Sequence, residues 1–407
     1  VAVDRRALAA FRIGLGAVLL ADLAARSRSL GAFYTDAGVL PRRALFADYG
    51  ETLSLHALSG EPWAIALLFA VAGAVALALL VGYRTRLATA VSWLLLLSLH
   101  ARNPMVLNAG DDLLLALLFW SVFLPLGSRW SVDAVRRAGG GDAAASDEDA
   151  GSGDGDAAGD DGPTGADSGL AASGPTGTAV ANVATMAVLV QILVMYFTNA
   201  VHKFESELWM SGEAVAYVMQ ADQFSYLLGN YIAGFTGLLR VFTVLWVALL
   251  FASPLLLLVT GWPRAALASL FVGMHLGMAV TIRVGMFPII VVVGFVPFFQ
   301  TPVWNALGRA VNRLGWAVRV ARWRRRFESA AQTVTSAEAS LPGAGASARL
   351  DRFRGADVLG GLARGRVLFT TVLPYVFLVL ILLSSAASVG YAEVPEPAGE
   401  ALDTAEM

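Results

Sequence analysis

The sequence predicts an all-α fold: a polytopic transmembrane bundle of about nine helices, with the N-terminus inside and the C-terminus outside. Three observations carry that expectation. The 407 residues are 57% apolar and only 15% charged, against about 25% charge in an ordinary soluble domain, and mean hydropathy is +0.65. Mostly apolar runs long enough to cross roughly 30 Å of hydrocarbon recur along the chain. These runs lack the alternating pattern of a β-barrel, and a backbone deprived of water must satisfy its polar groups internally, which leaves the helix as spanning element. A formal charge of −2 gives no basic excess for nucleic acid. The absence of cysteine removes disulfides, thiolate metal ligands and cysteine nucleophiles.

The runs are, in order, 7–25, 63–82, 87–100, 112–126, 180–201, 238–261, 265–282, 284–299 and 368–389. The first follows Arg5 and Arg6 and ends among small residues, the outline of a signal peptide, but Arg12 within it and eight further runs favour a retained helix. Four runs fill residues 1–138. Residues 139–178 carry nine acids and no base among Gly, Ala and Ser, and read as an acidic, disordered cytoplasmic linker. With the near-exclusive use of arginine, that acidity suggests a salt-adapted, halophile-like host, although GC-rich coding produces some of the same bias.

The next four runs occupy 179–300. In 301–328 the apolar Trp304, Leu307, Val311, Leu314 and Val318 oppose Arg309, Arg313, Arg319 and Arg322, the spacing of one basic interfacial helix lying on anionic headgroups. A low-complexity linker at 329–366 and a last span with an acidic tail at 367–407 complete the expected layout. With the N-terminus in the cytoplasm, twenty arginines fall inside, among them Arg84, Arg86, Arg129, Arg136, Arg137 and Arg264. Seven fall outside, an asymmetry that satisfies the positive-inside rule. The location that follows is multi-pass in the cell membrane.

Ionisable groups within spans are costly and are candidates for function. The densest cluster is YFTNAVHKFESELW, residues 196–209, at the outer end of the fifth run. On a helix Tyr196, Asn199 and Lys203 share a face, Glu207 lies one turn beyond, and His202 sits about 100° away. Of 29 basic residues 28 are arginine, and the single lysine is Lys203. An amine among apolar groups loses solvation, and the free base is then a competent proton acceptor or nucleophile. The plainer role is a lysine snorkelling at a helix end, paired with Glu207; the choice of lysine in an arginine-rich chain favours chemistry, because only lysine is readily deprotonated.

His275 reads as a bundle-facing histidine bonded to a neighbour, or as a ligand contact. Arg283 snorkels outward or reaches an anion. Arg12 and Asp22, three turns apart, each require a partner from another helix. In HARNPMVLNAGDD, residues 100–112, Asn108 and Asp111 are most simply caps of the fourth helix. Histidines at 56, 100, 202 and 275 have no metal spacing, so no metal is expected.

Together with Gly212, Glu213 and Ala214, the 196–209 stretch resembles the vitamin K-dependent γ-glutamyl carboxylases and their relatives, the horizontally transferred transmembrane (HTTM) domain proteins. Supporting similarities are AFRIGLG with Arg12, FYTDAGVLPR at 33–42, RNPMVLNAGDD at 102–112, RWSVD at 129–133, and His275 with RVGMFP at 283–288. They run in the family's order from Phe11 to about Phe299 and cover its membrane core. The carboxylases' large extracytoplasmic domain has no counterpart in the roughly 18 residues that follow the ninth run, and His202 stands where the animal enzymes carry a second lysine.

The resemblance implies a lyase-type γ-carboxylation in which Lys203 is the catalytic base and His275 assists it. Tyr196, Asn199, His202, Trp209, Arg283 and Met286 would then contact quinone or substrate. The cofactor implied is a reduced vitamin K-type quinone, menaquinol, with O₂ and CO₂ as co-substrates. The partners are the lipid bilayer and a separate extracytoplasmic protein. Two other classes stay open: a membrane enzyme of this fold with different chemistry, and a non-catalytic scaffold or transporter, against which stands the absence of an evident repeat between halves.

Overall fold

The computed structural model describes residues 1–50, 53–138, 178–221, 223–339 and Val379. The expected acidic linker over 139–178 apart from Thr178, most of the second linker, and the ninth run apart from Val379 lie outside the described residues. The major helices are α1 Arg5–Ser27, α2 Pro62–Val81, α3 Thr85–Arg102, α4 Ala109–Ser121, α5 Val183–Phe204, α6 Thr236–Ala252, α7 Gly261–Thr281, α8 Phe287–Phe295, α9 Thr301–Arg313 and α10 Ala317–Ala339. Four of them, α1, α2, α5 and α7, are long and apolar enough to cross a membrane, and five spans result if the bent pair formed by 287–298 and α9 counts as one. The described residues are therefore mostly helical with four to five candidate spans, where the sequence suggested nine over the whole chain.

Caps and turns set the boundaries. Asp4 opens α1 by accepting from the Arg6 backbone N–H at 2.7 Å, while residues Val3–Asp4 pair antiparallel with Ala179–Val180. That two-residue ladder puts the starts of α1 and α5 side by side at one end. Gly82, at φ +73°, ends α2 in the left-handed conformation that glycine adopts without penalty. Asp133 then starts α3 by accepting from the backbone N–H groups of Arg84 and Thr85 at 2.9 and 2.7 Å. Asn108 and Asp111 form the reciprocal capping box of α4, as the sequence suggested. Asn182 and Thr185 do the same for α5.

The core is built where small residues let backbones approach, the usual solution inside hydrocarbon, where helix association rests on packing rather than on the hydrophobic effect. A Cβ added to Gly16 of α1 would lie 2.8 Å from the Leu80 backbone of α2. One added to Gly294 of α8 would meet Ile192 of α5 at 2.8 Å, and Gly14 faces Val293 at the same distance. The short helix α8 is thus wedged between α1, α4 and α5, and Phe11, Phe271, Phe295, Phe298 and Trp120 fill the space around it. By contrast only 28% of the most apolar stretch of α2 is buried in the protein, so most of that apolar surface stays uncovered by the described residues.

Three boundaries differ from the sequence reading. The sixth run, 238–261, is broken after Ala252 at Ser253 and Pro254, since proline lacks the N–H that would continue the helix. The basic helix expected over 301–328 is two helices, α9 and α10, parted at Gly315 with φ +68°. Moreover α10 runs to Ala339, into the stretch expected as linker, because 329–339 is rich in alanine and Glu328 clasps Arg324 one turn back at 2.7 Å. Between 287–298 and α9 the chain turns by 102°.

Candidate functional site

Lys203 lies in the last turn of α5. The chain leaves that helix through Glu205 and Ser206, and the turn Glu207–Met210 carries Trp209 back over the lysine, placing Nζ 4.2 Å from the indole centroid. Nζ also donates to Asn199 Oδ1 at 3.4 Å, one turn earlier on the shared face. The side chain is half-buried. Among the described residues no carboxylate comes within 4 Å of it, so the Glu207 pairing is not formed. The amine rests on a neutral amide and an aromatic face, neither of which traps its proton as a carboxylate would.

Two turns inward on α5, Tyr196 is buried in an aromatic box with Trp246, Phe271 and Phe295. Its hydroxyl stands 3.4 Å from Nε2 of His275 on α7. Nδ1 of His275 is 2.9 Å from the Phe271 carbonyl one turn back, and a carbonyl can only accept, so Nδ1 carries the proton. Nε2 is left as a lone-pair acceptor facing the Tyr196 hydroxyl, in a site sealed by Trp246 and Phe287 at 5.3 and 5.8 Å between ring centroids. The histidine is thus held in one tautomer with its basic nitrogen pointed inward.

The other expected site residues divide. Met286 is half-buried against the core, immediately before Phe287. Arg283 is exposed: its backbone N–H donates to Phe224 at 2.8 Å, and its guanidinium lies 5.7 Å from the Tyr226 ring. His202 is also exposed, with Nδ1 4.0 Å from Glu205. No hydrogen bond or ion pair among the described residues joins Lys203 to His275 or Arg283. Tyr196 and His275 meet inside the bundle, Lys203, Asn199 and Trp209 form a second group at its end, Met286 packs at the edge of the core, and Arg283 and His202 are exposed.

A third group was not assembled in the sequence reading. Arg26, on the last turns of α1, donates through Nε to Asp22 at 2.8 Å, through Nη1 to the Tyr34 hydroxyl at 2.9 Å, and through Nη2 to Asp111 of α4. His100 of α3 closes the cluster, with Nε2 3.8 Å from Asp111 and neither ring nitrogen hydrogen-bonded among the described residues. Asp22 therefore finds its first partner on its own helix at i+4, not on another. Beside this cluster Arg102 donates to the Leu40 carbonyl at 2.9 Å and Asn103 to Phe33 at 2.8 Å, which ties 33–40 to the end of α3. Asp36 accepts from the Arg42 guanidinium, at 2.8 and 2.9 Å to Oδ2, and from the Arg42 backbone N–H at 3.0 Å, and these bonds hold its carboxyl below the usual range. The sequence signal was an Asp and an Arg four apart inside an apolar run; only the fold shows that Tyr34, His100 and Asp111 meet them.

The cluster and the histidine site adjoin. A Cβ on Gly110, next to Asp111, would fall 2.8 Å from the Phe287 backbone, and Phe287 packs on His275. Arg12, three turns from Asp22 on α1, does take its partner from elsewhere, donating to the Trp130 carbonyl at 2.6 Å. Among the described residues no group of three or more His, Asp and Glu side chains could hold a metal ion.

Fold and site together define a class: a helical protein with candidate membrane spans and a buried acid–base pair beside a charged cluster. No family model, no curated protein and no solved structure matches the chain.

Proposed function

We propose that the chain is a multi-pass enzyme of the cell membrane that uses Lys203 to deprotonate a reduced naphthoquinone. In this reading it has nine spans, an inside N-terminus and an outside C-terminus. The carrying observation is that the one lysine is seated on Asn199 and Trp209 and not on a carboxylate, so no negative charge beside it holds its proton. The ladder between Val3–Asp4 and Ala179–Val180 supports the topology, since an even number of crossings must separate the starts of α1 and α5.

The residues fit the quinone. Trp209 offers a flat aromatic face beside the amine, Met286 and Phe287 offer apolar contact, and Nε2 of His275 holds the Tyr196 hydroxyl further inward. Menaquinol with O₂ would supply the base that removes a glutamate γ-proton, and CO₂ would complete γ-carboxyglutamate with release of quinone epoxide and water. Lys203 takes the first phenolic proton, Asn199 holds the amine in place, and the aromatic box keeps water from His275. The substrate glutamate would belong to a separate extracytoplasmic protein.

Purified protein supplied with reduced menaquinone, O₂ and a glutamyl peptide should form epoxide, and Lys203→Ala should lower turnover by about 10²–10⁴-fold, the usual weight of a general base. Equal turnover in the two proteins would remove Lys203 from the mechanism. A second reading, a membrane enzyme of this fold with other chemistry, is favoured by the Asp22–Arg26–Asp111–His100 cluster, which is more deeply buried than Lys203. Activity lost in His100→Gln but retained in Lys203→Ala would favour it.

A further inference from the structure

The helix α9 is fixed to the end of the bundle where α1 starts. Asn305 accepts from the Arg6 guanidinium at 2.9 Å, Trp304 packs on Trp130 at 6.0 Å between ring centroids, and its indole N–H donates to the Phe299 carbonyl at 2.9 Å. Beyond Gly315 the surface changes. Trp316, Val320 and Val334 are exposed, and Trp323 is exposed to 74%. Gly315 also resets the phase of the helix. The stripe from Trp304 to Val318 requires one continuous helix, whereas the chain restarts at Trp316, whose carbonyl accepts from the Val320 N–H at 2.9 Å. Counted from Val320 at about 100° per residue, Trp316, Val320, Trp323, Phe327 and Val334 share an arc of about 60°, and Val318 falls near the opposite side. Arg319 and Arg324 border the arc, one on each side, while Arg322, Arg325 and Arg326 lie across the helix. Between 317 and 328 these five arginines face one acid, Glu328, which is bound to Arg324 at 2.7 Å.

We propose that α10 lies on an anionic bilayer surface, with the arc from Trp316 to Val334 at the boundary between headgroups and acyl chains. Tryptophan suits that depth because an apolar ring carries a polar N–H at its edge, and arginine suits the border because its stem lies along apolar surface while its guanidinium reaches phosphate. The lipid contact expected over 301–328 thus passes to 316–334, α9 being held by the bundle. A second copy of the chain fits less well: two such arcs packed face to face, parallel or antiparallel, would line both seams with arginine. The chain's own acidic stretch at 139–178 has charge to offer but one leucine and no aromatic residue with which to cover two tryptophans. The inference rests on the membrane location proposed above and is independent of Lys203.

The test uses the full chain in nanodiscs that hold one copy each. Because the chain has no cysteine, one introduced thiol can carry an environment-sensitive fluorophore: Val320→Cys in the arc, Val318→Cys across the helix, or Leu77→Cys on α2, at a position 51% exposed. Quenching by lipids spin-labelled near the top of the acyl chain is compared in phosphatidylcholine with and without phosphatidylglycerol. With phosphatidylglycerol, quenching in Val320→Cys should exceed that in Val318→Cys several-fold. It should fall several-fold in phosphatidylcholine alone, or when Arg319→Gln and Arg324→Gln are added. Equal quenching in the two variants, or quenching indifferent to phosphatidylglycerol, overturns the proposal. A Val320→Cys label shielded from aqueous iodide yet not quenched by lipid also overturns it and assigns a protein cover instead. Leu77→Cys, with the spin label deep in the acyl chain, reports the membrane location separately. Quenching there without quenching in Val320→Cys rejects the α10 contact alone, and no quenching there rejects the location and the proposal with it.

Discussion

At the scale of single residues, the strongest commitments are buried charges. Arg26 satisfies Asp22, Asp111 and Tyr34 at once, so removing it strands two carboxylates away from water. Arg26→Ala should cost about 3–5 kcal/mol, the usual penalty for breaking a buried pair from one side, read as a lower unfolding temperature in detergent. His56 makes a pH-dependent contribution. It is fully buried between 54–57 and α3, with Nδ1 2.7 Å from the Ser98 hydroxyl. Burial, with Arg102 nearby, pushes its imidazole down to about 4. Between the ordinary value near 6.5 and 4 the unfolded chain binds a proton that the folded chain refuses. The stability is therefore complete above pH 6.5 and is lost as pH falls toward 4, by about 3 kcal/mol in all. Unfolding temperatures of wild type should decline over that window more steeply than those of His56→Gln. Lys203 could be singled out from the sequence because its rarity is a property of composition. Arg26 could not, since it is one of 28 arginines until Asp111 is seen beside it.

At the scale of elements, the helix ends decide how the bundle is joined, and glycines at positive φ are not equivalent. Gly82 and Gly261 both adopt left-handed backbone, at φ +73° and +66°. A Cβ at Gly261 meets nothing within 4 Å, whereas one at Gly82 would lie 1.6 Å from Nη1 of the buried Arg12. Gly261→Ala should cost about 1–2 kcal/mol for the backbone alone. Gly82→Ala should cost clearly more, because Arg12 must also give up its place beside the Trp130 carbonyl. Equal losses in the two variants, by denaturant unfolding, would contradict that coupling. The caps of α4 and the amphipathic stripe of α9 follow from local spacing and were legible in the chain, whereas the Asn182–Thr185 box of α5 emerged only with the fold. The break at Gly315 and the extension of α10 to Ala339 were harder to read, since an isolated glycine and an alanine-rich stretch suit either helix or loop.

At the scale of the molecule, one end carries α9 and the other carries Lys203 and the Asp22–Arg26–Asp111 cluster. The absence of cysteine makes the proposed orientation testable with single introduced thiols. Leu53→Cys, at a position 98% exposed, should react with a membrane-impermeant maleimide in intact cells, and Arg319→Cys only after permeabilisation. The reverse pattern would invert the topology.

Composition and hydropathy by themselves determined that the chain is helical and suited to a bilayer, because a low-dielectric solvent permits few backbone solutions. They also marked Lys203, Tyr196 and His275 as costly residues in apolar runs. Only the tertiary structure decided which of these meet. Tyr196 and His275, 79 positions apart, are brought together because α5 and α7 pack through one aromatic box, while Lys203 ends on Trp209 because a short turn folds back over it. Charge pairing across helices leaves no periodic trace in one sequence, since each partner is seen only on its own helix. For that reason the cluster at Arg26 belongs to the fold.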